Sequence, residues 1–142
     1  MRTGFGLLTM VFSFAAGTAL AEGNWLSADD FRARVVGDVV QTEDAESGAL
    51  FGHEFFQKGN RVTWRYPDGR CLYGAWWAVG ETICYRYQGI AGLSCLRYAL
   101  EGGKLIGHQW DPLLREAGDT GQRLHLTPMP ARGMTCSGAP TS

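Results

Sequence analysis

The chain has 142 residues, and its 13 Lys and Arg residues nearly balance 14 Asp and Glu residues, for a formal net charge of −1. A charge this close to zero provides no bulk attraction to nucleic acid, so we predict no nucleic-acid partner. The length suits one domain that buries about two-thirds of the surface of its unfolded chain.

Residues 1–21 have the pattern of a secretory signal peptide. Arg2 precedes an uncharged, apolar stretch from Phe5 to Leu20, and small residues end it around Ala21. The stretch is short for a membrane span, and an acidic, polar segment follows it instead of basic anchors. We therefore predict cleavage after Ala21, a periplasmic or secreted product, and no membrane span in the mature chain.

A short N-terminal helix is predicted next. Ser27 can cap it, and Asp29 and Asp30 would lie in its first turn, where negative charge is favourable. Gly37 is the expected stop.

The remainder reads as β-structure. Short segments rich in aromatic and branched residues recur roughly every ten positions, with glycine-containing turns between them. They lie at 39–40, 51–56, 61–66, 72–77, 82–87, 94–100 and 105–110. We predict a mainly β domain over residues 22–126, either a single antiparallel meander sheet or a partly closed barrel. Residues 127–142, rich in Pro, Gly and Ser, form a predicted tail that Cys136 ties back.

The four cysteines are Cys71, Cys84, Cys95 and Cys136, and their spacing fits neither a metal site nor a covalent haem site. An even number of cysteines in an exported protein indicates disulfides, here with three possible pairings. A tight turn at 78–81 would place Ala75 opposite Cys84, and Trp77 opposite Thr82. A further turn at 88–92 would bring Cys84 opposite Cys95. We therefore favour Cys84–Cys95 and Cys71–Cys136, and we predict no cofactor.

Strand alternation divides this region into two faces. The predicted core face comprises Val62, Trp64, Tyr66, Leu72, Trp76, Ile83, Tyr85, Tyr87, Leu96, Tyr98 and Leu100, with Trp64 over Gly74. The opposite face presents Tyr73, Trp77, Arg86 and Arg97 beside the predicted Cys84–Cys95 bridge. Arginine and aromatic side chains together suit anionic ligands, glycans and protein partners, so these four residues are the candidate binding site. In the alternative, Trp77 covers the disulfide and both arginines lie along the sheet with their charged ends in water.

His53 and Glu54 are the candidate residues for catalysis or metal binding, with His108 or His125 as remote partners. Neighbouring residues of a strand point apart, which favours a structural role for the pair. Ser94 lacks the Gly-x-Ser-x-Gly elbow of a serine nucleophile, and a disulfide-bonded cysteine cannot attack a substrate. We predict no catalytic residue and no metal site.

The runs NRVTWRYPDGRCLYGAWW, ICYRY and SCLRY carry a resemblance to a family. The chain resembles small exported alphaproteobacterial proteins that carry a domain of unknown function, over residues 27–110 and Cys136. The matching elements are Gly74-x-Trp76, the Ile83–Tyr85 strand and the strand of Cys95. This resemblance implies export and a disulfide-stapled β domain, and it implies no activity.

The sequence thus favours a non-enzymatic, exported β domain that binds a small ligand or a periplasmic protein. One alternative is a metal-binding protein or enzyme that uses His53 and Glu54. Another is an inhibitor of an envelope hydrolase, a role that suits small disulfide-stapled β domains.

Export predicts a mature chain that begins at Glu22. Mass spectrometry of periplasmic material should detect this N-terminus, because the signal peptidase cleaves after a small residue such as Ala21. Recovery of the full-length chain in the membrane fraction would contradict the prediction.

Overall fold

A computed structural model describes residues 24–130 and 133–137. The predicted signal peptide, residues 1–21, lies outside the described residues, as do 131–132 and 138–142 of the predicted tail. None of the helices in the described part of the chain is long and apolar enough to cross a membrane.

The predicted helix is present as α1, Ala28–Val35. Ser27 caps it as expected, because the backbone N–H of Asp30 donates to Ser27 Oγ at 3.1 Å. Phe31 and Val35, four residues apart, lie on one face of the helix and are fully buried.

Eight antiparallel strands follow in chain order and close into a barrel. The prediction of a mainly β domain with one short helix is confirmed, and the sheet is a closed barrel instead of an open meander. The strands are β1 Val39–Asp44, β2 Leu50–Gln57, β3 Arg61–Arg65, β4 Cys71–Val79, β5 Thr82–Tyr87, β6 Ser94–Glu101, β7 Lys104–Trp110 and β8 Asp119–Met129, with a 3₁₀ turn at Pro112–Gly118 between the last two.

Closure depends on β8, which pairs with β7 on one side and with β1 on the other. Its register with β1 runs from Val39 opposite Met129 to Asp44 opposite Leu124. β8 therefore extends three residues into the segment predicted to be tail, 127–142. Leu124 and Leu126 alternate with polar residues along β8, as a strand with one buried face requires.

Helix α1 closes one end of the barrel. The ring of Phe31 stacks on Tyr98, with 4.1 Å between centroids, and meets Phe56 and Trp76 edge-on at 5.6 Å and 5.8 Å. Arg32 Nη2 donates to Asn60 Oδ1, in the turn between β2 and β3, at 3.2 Å. The turns that follow β2, β4 and β6 lie at this closed end, and those that follow β1, β3, β5 and β7 lie at the other end.

Both disulfides have the predicted pairing. Cys84 and Cys95 are directly opposite each other on β5 and β6, with their Cα atoms 4.1 Å apart. Cys71–Cys136 ties the C-terminal segment to the start of β4. Beside this bridge, the backbone N–H of Ser137 donates to the carbonyl of Gly69 at 2.8 Å.

The predicted β4–β5 register is wrong by two residues. The turn consists of Gly80 and Glu81, so Trp77 lies opposite Cys84 and Ala75 opposite Arg86. A shift of two residues leaves every side chain on its predicted face, since strand side chains alternate with a period of two. The predicted assignment of faces therefore survives the error.

Two details of the predicted core are corrected. Leu100 shares the inward face but is 42% exposed, because it lies where β6 ends at the Gly102-Gly103 turn. Trp64 lies over Gly52 instead of Gly74: a Cβ atom on Gly52 would come within 2.6 Å of Trp64 Cζ2.

Adjacent tryptophans on β4 provide a matched test of the faces. Trp76→Ala should lower the free energy of unfolding by about 3–5 kcal/mol, because it leaves a cavity in the core, where Trp76 is 1% exposed. Trp77→Ala removes a half-buried residue from the outer wall and should cost about 1 kcal/mol or less. Urea unfolding of both variants measures the two losses in the free energy of unfolding. Equal losses would show that Trp77 is a structural cover for the Cys84–Cys95 disulfide.

Candidate ligand-binding cavity

The barrel interior is filled at the end that α1 closes and empty toward the other end. A cavity of about 250 Å³ remains there. Inward-facing residues of all eight strands line it, most of them apolar or aromatic. Interiors of folded domains are normally packed without voids of this size, so the cavity is a candidate binding site.

The mouth of the cavity lies among the loops opposite the helix. Phe51, at the start of β2, and Ile90, in the β5–β6 loop, line the cavity and are 40% and 49% exposed. Large apolar side chains that are half in solvent and half in a cavity mark an entrance. A small molecule can therefore reach the interior from this end.

Glycines on the inner wall make room for the aromatic lining. A Cβ atom on Gly74 would meet the carbonyl oxygen of Arg86 and lie 3.0 Å from Tyr87 Cδ1. A Cβ atom on Gly52 would likewise overlap the ring of Trp64. Because both positions are glycine, the rings of Tyr87 and Trp64 from neighbouring strands can lie directly against the backbone there, and both rings line the cavity.

Glu54 is the buried acid of the cavity. It lies on β2 between Gly52 and Phe56, with its side chain inside the barrel. Tyr87, three strands away on β5, donates its hydroxyl proton to Glu54 Oε1 at 2.6 Å across the interior. Burial raises the pKa of the Glu54 carboxyl to about 8, and the hydrogen bond from Tyr87 only partly offsets this rise. At neutral pH the group is therefore mainly the uncharged acid.

A second polar pair lies deeper in the barrel. The hydroxyl oxygens of Tyr85 and Tyr98 are 2.7 Å apart, so one donates to the other. Burial raises the pKa of both phenols well above the usual value, which keeps them protonated. The pair satisfies its own hydrogen bond and faces the cavity as neutral hydroxyl groups.

The candidate residues Tyr73, Trp77, Arg86 and Arg97 all point outward, as predicted, but they do not form one cluster. Tyr73 and Trp77 lie on β4, and Arg86 is exposed on β5. Arg97, on β6, donates from Nε to Thr82 Oγ1 at 3.0 Å, and its guanidinium lies over Trp110 at 4.0 Å. The outer wall therefore holds a possible contact surface of three residues and a separate Arg97–Trp110 stack.

The alternative site at His53 and Glu54 is divided by the barrel wall. Glu54 points inward, whereas His53 lies on the outside with Arg65 as its cross-strand neighbour. Partial burial, and secondarily the charge of Arg65, lower the pKa of His53. The two side chains cannot share one metal ion or one proton.

The remote histidines have partners of their own. His108 Nε2 lies 2.7 Å from Glu101 Oε1, and His125 Nδ1 lies 3.9 Å from Glu43 Oε2. Within residues 24–130 and 133–137, no group of three or more His, Cys, Asp or Glu side chains is arranged to hold a metal ion.

Sequence reasoning missed the cavity as a site. Because neighbouring residues of a strand point apart, the sequence favours a structural role for His53 and Glu54. The signal in the sequence was the shared parity of Gly52, Glu54 and Phe56, which places the acid on the same face as Phe56, a residue that is 1% exposed in the fold.

No family model, curated protein or solved structure matches this chain. The cavity itself is therefore the basis for assigning a function.

The raised pKa of Glu54 predicts how stability depends on pH. Between the ordinary glutamate pKa of 4.5 and the folded value of about 8, the folded state binds more protons than the unfolded state. The free energy of unfolding should then fall as pH rises through this window, by at most about 1.4 kcal/mol per pH unit. Glu54→Gln, which stays neutral, should flatten the profile and be the more stable protein near pH 8.

Urea unfolding at several pH values between 4.5 and 8 measures this difference. Glu81→Gln, which changes an exposed acid in the β4–β5 turn, is the matched control and should keep the wild-type profile. A wild-type profile that stays parallel to that of Glu54→Gln would show that Glu54 titrates normally.

Proposed function

We propose that the protein is an exported, non-enzymatic binding protein that holds a small, largely apolar molecule inside the barrel. The observation that carries this proposal is the cavity of about 250 Å³, lined by all eight strands and open between Phe51 and Ile90. The predicted signal peptide and the two disulfides support export, since disulfides persist in oxidising compartments.

The size of the cavity restricts the ligand. A dry cavity of about 150 Å³ accommodates benzene, so this larger cavity, which is open at its mouth, suits a single or fused ring with a short substituent. The lining fits such a molecule, because the rings of Phe51, Trp64 and Tyr66 provide apolar surface and the polar groups are few. An apolar lining with a few fixed polar groups is typical of small-molecule sites.

Binding is favoured over catalysis by the state of the polar groups. The hydroxyls of Tyr85 and Tyr98 are bound to each other, and Tyr87 is bound to Glu54. These contacts orient a ligand, and they leave no base paired with a nucleophile.

A second candidate function is protein recognition by the outer wall of β4 and β5. Tyr73 is 44% exposed there, next to the exposed Arg86 and the half-buried Trp77. Aromatic and arginine side chains are enriched at interfaces. An inhibitor of an envelope hydrolase would use a surface of this kind, and a pull-down from periplasmic extract with Trp77→Ala as the comparison tests it.

Filling the cavity tests the proposed function. Ser94 lines the cavity at the start of β6, and Ser94→Trp should place an indole ring in the space that a ligand would occupy. Indole is the probe, titrated into the mature, oxidised protein by calorimetry. We expect Ser94→Trp to weaken indole binding at least tenfold, because the ligand and the new side chain compete for one volume.

The control for this test is Lys58→Trp, which adds the same ring in an exposed turn at the closed end and should bind indole normally. Near-ultraviolet circular dichroism shows whether each variant is folded. Unchanged binding by folded Ser94→Trp, or the absence of indole binding by the wild-type protein, would contradict the proposal.

A further inference from the structure

The lining of the cavity has a marked asymmetry of charge. Glu54 is the one Asp, Glu, Lys, Arg or His among the described residues that line it. The other polar lining groups are hydroxyls and the side-chain amides of Gln109 and Gln122. A ligand with a negative charge would find no cation inside the barrel, whereas a ligand with a positive charge would find one acid.

The hydrogen bonding of Glu54 leaves one of its oxygens available. Oε1 accepts from Tyr87 at 2.6 Å, and within the described residues Oε2 accepts no hydrogen bond. Oε2 is not among the buried side-chain atoms without a partner in the described residues, so it is open to the cavity. In its ionised form, this oxygen would form a short, strong hydrogen bond with a charged N–H donor of a ligand.

The rings around this acid favour the same chemistry. Trp64 is the direct cross-strand neighbour of Glu54 on β3, and Tyr66 follows it on the same inner face. Aromatic faces carry partial negative charge and attract ammonium groups. A cation placed against Glu54 would also lie near these aromatic rings.

We propose that the ligand is an aromatic amine, whose ammonium group donates to Glu54 Oε2 and whose ring occupies the apolar part of the cavity toward Phe51 and Ile90. This inference rests on the proposed function, since it names the chemical class of the molecule that the same cavity binds.

Binding of an ammonium group to Glu54 should change the number of protons bound to the protein, and this change can be measured. The titratable groups that face Glu54 are phenols: Tyr85 and Tyr87 on β5, Tyr98 on β6, and Tyr66 directly after β3. The neighbour of Glu54 on β1 is Val40. The three phenols on β5 and β6 have raised pKa values, so they keep their protons. The uncharged acid therefore gives up its own proton to solvent when the ammonium–carboxylate pair forms.

The size of the effect follows from the pKa of Glu54, about 8. At pH 7 most of the acid is protonated, so binding of the amine should release a proton. Affinity should therefore rise between pH 6 and pH 7, by at most about tenfold.

Three probes with the same indole ring test whether the cavity prefers a cationic, a neutral or an anionic ligand. Tryptamine carries an ammonium group, 3-propylindole replaces it with a methyl group, and indole-3-propionate carries a carboxylate. Calorimetry at pH 7, in buffers of different ionisation enthalpy, gives both affinity and proton release. We expect tryptamine to bind at least tenfold more tightly than 3-propylindole and to release a proton, and indole-3-propionate to bind most weakly.

Glu54→Gln is the matched variant, because it keeps the shape of the side chain and cannot ionise. It should weaken tryptamine at least tenfold, abolish the proton release and the pH dependence, and weaken 3-propylindole much less than tryptamine. Near-ultraviolet circular dichroism shows whether the variant is folded.

Each other outcome has a distinct meaning. If 3-propylindole or indole-3-propionate binds as tightly as tryptamine, the cavity is a ligand site and the amine inference is wrong. If tryptamine binds without proton release, Glu54 is not its partner and the inference also fails. If none of the three probes binds, the proposed function falls and the inference with it.

Discussion

The pairing of β8 with β1 is the interaction on which the rest of the structure depends. Without it, β1 and β8 would be the exposed edges of an open eight-stranded sheet, and the inner face would open to water. With it, every strand has two neighbours, and the inward side chains enclose a volume from which solvent is largely removed. The burial of Glu54 and the raised pKa of its carboxyl are consequences of this closure.

The sequence predicted the centre of the barrel better than its closure. The strands from 61 to 110 alternate clearly between apolar and polar residues and are separated by clear turns. Odd or even position in the strand is enough to assign Trp76, Trp77, Cys84 and Cys95 to the inner or outer face. A register error of two residues does not change that assignment. β8 was missed because Gly121 and Pro128 weaken its strand pattern, and because closure is a contact between the two ends of the domain. Local patterns carry no information about such a contact.

The candidate site was harder to predict than the fold for a related reason. The cavity is a property of the space among eight strands, and no single strand reveals whether its inward residues fill that space. Glu54 and Tyr87 are 33 positions apart, and their hydrogen bond crosses the interior. The sequence therefore favoured the outward aromatic and arginine side chains, whose setting is local. It indicated Glu54 only in the alternative site with His53, because the partner that Glu54 has in the fold, Tyr87, is distant in the chain.

The two ends of the barrel interior differ in packing. Phe31 of α1 packs with Phe56, Trp76 and Tyr98 at the closed end, where the interior is filled and the fold gains its burial. The other end keeps an empty volume and an acid whose burial disfavours its charged form, and both reduce stability. A domain with two disulfides and a filled half can tolerate this loss. The proposed aromatic amine would relieve both disadvantages at once, because its ring would fill the void and its ammonium group would pair with the ionised acid.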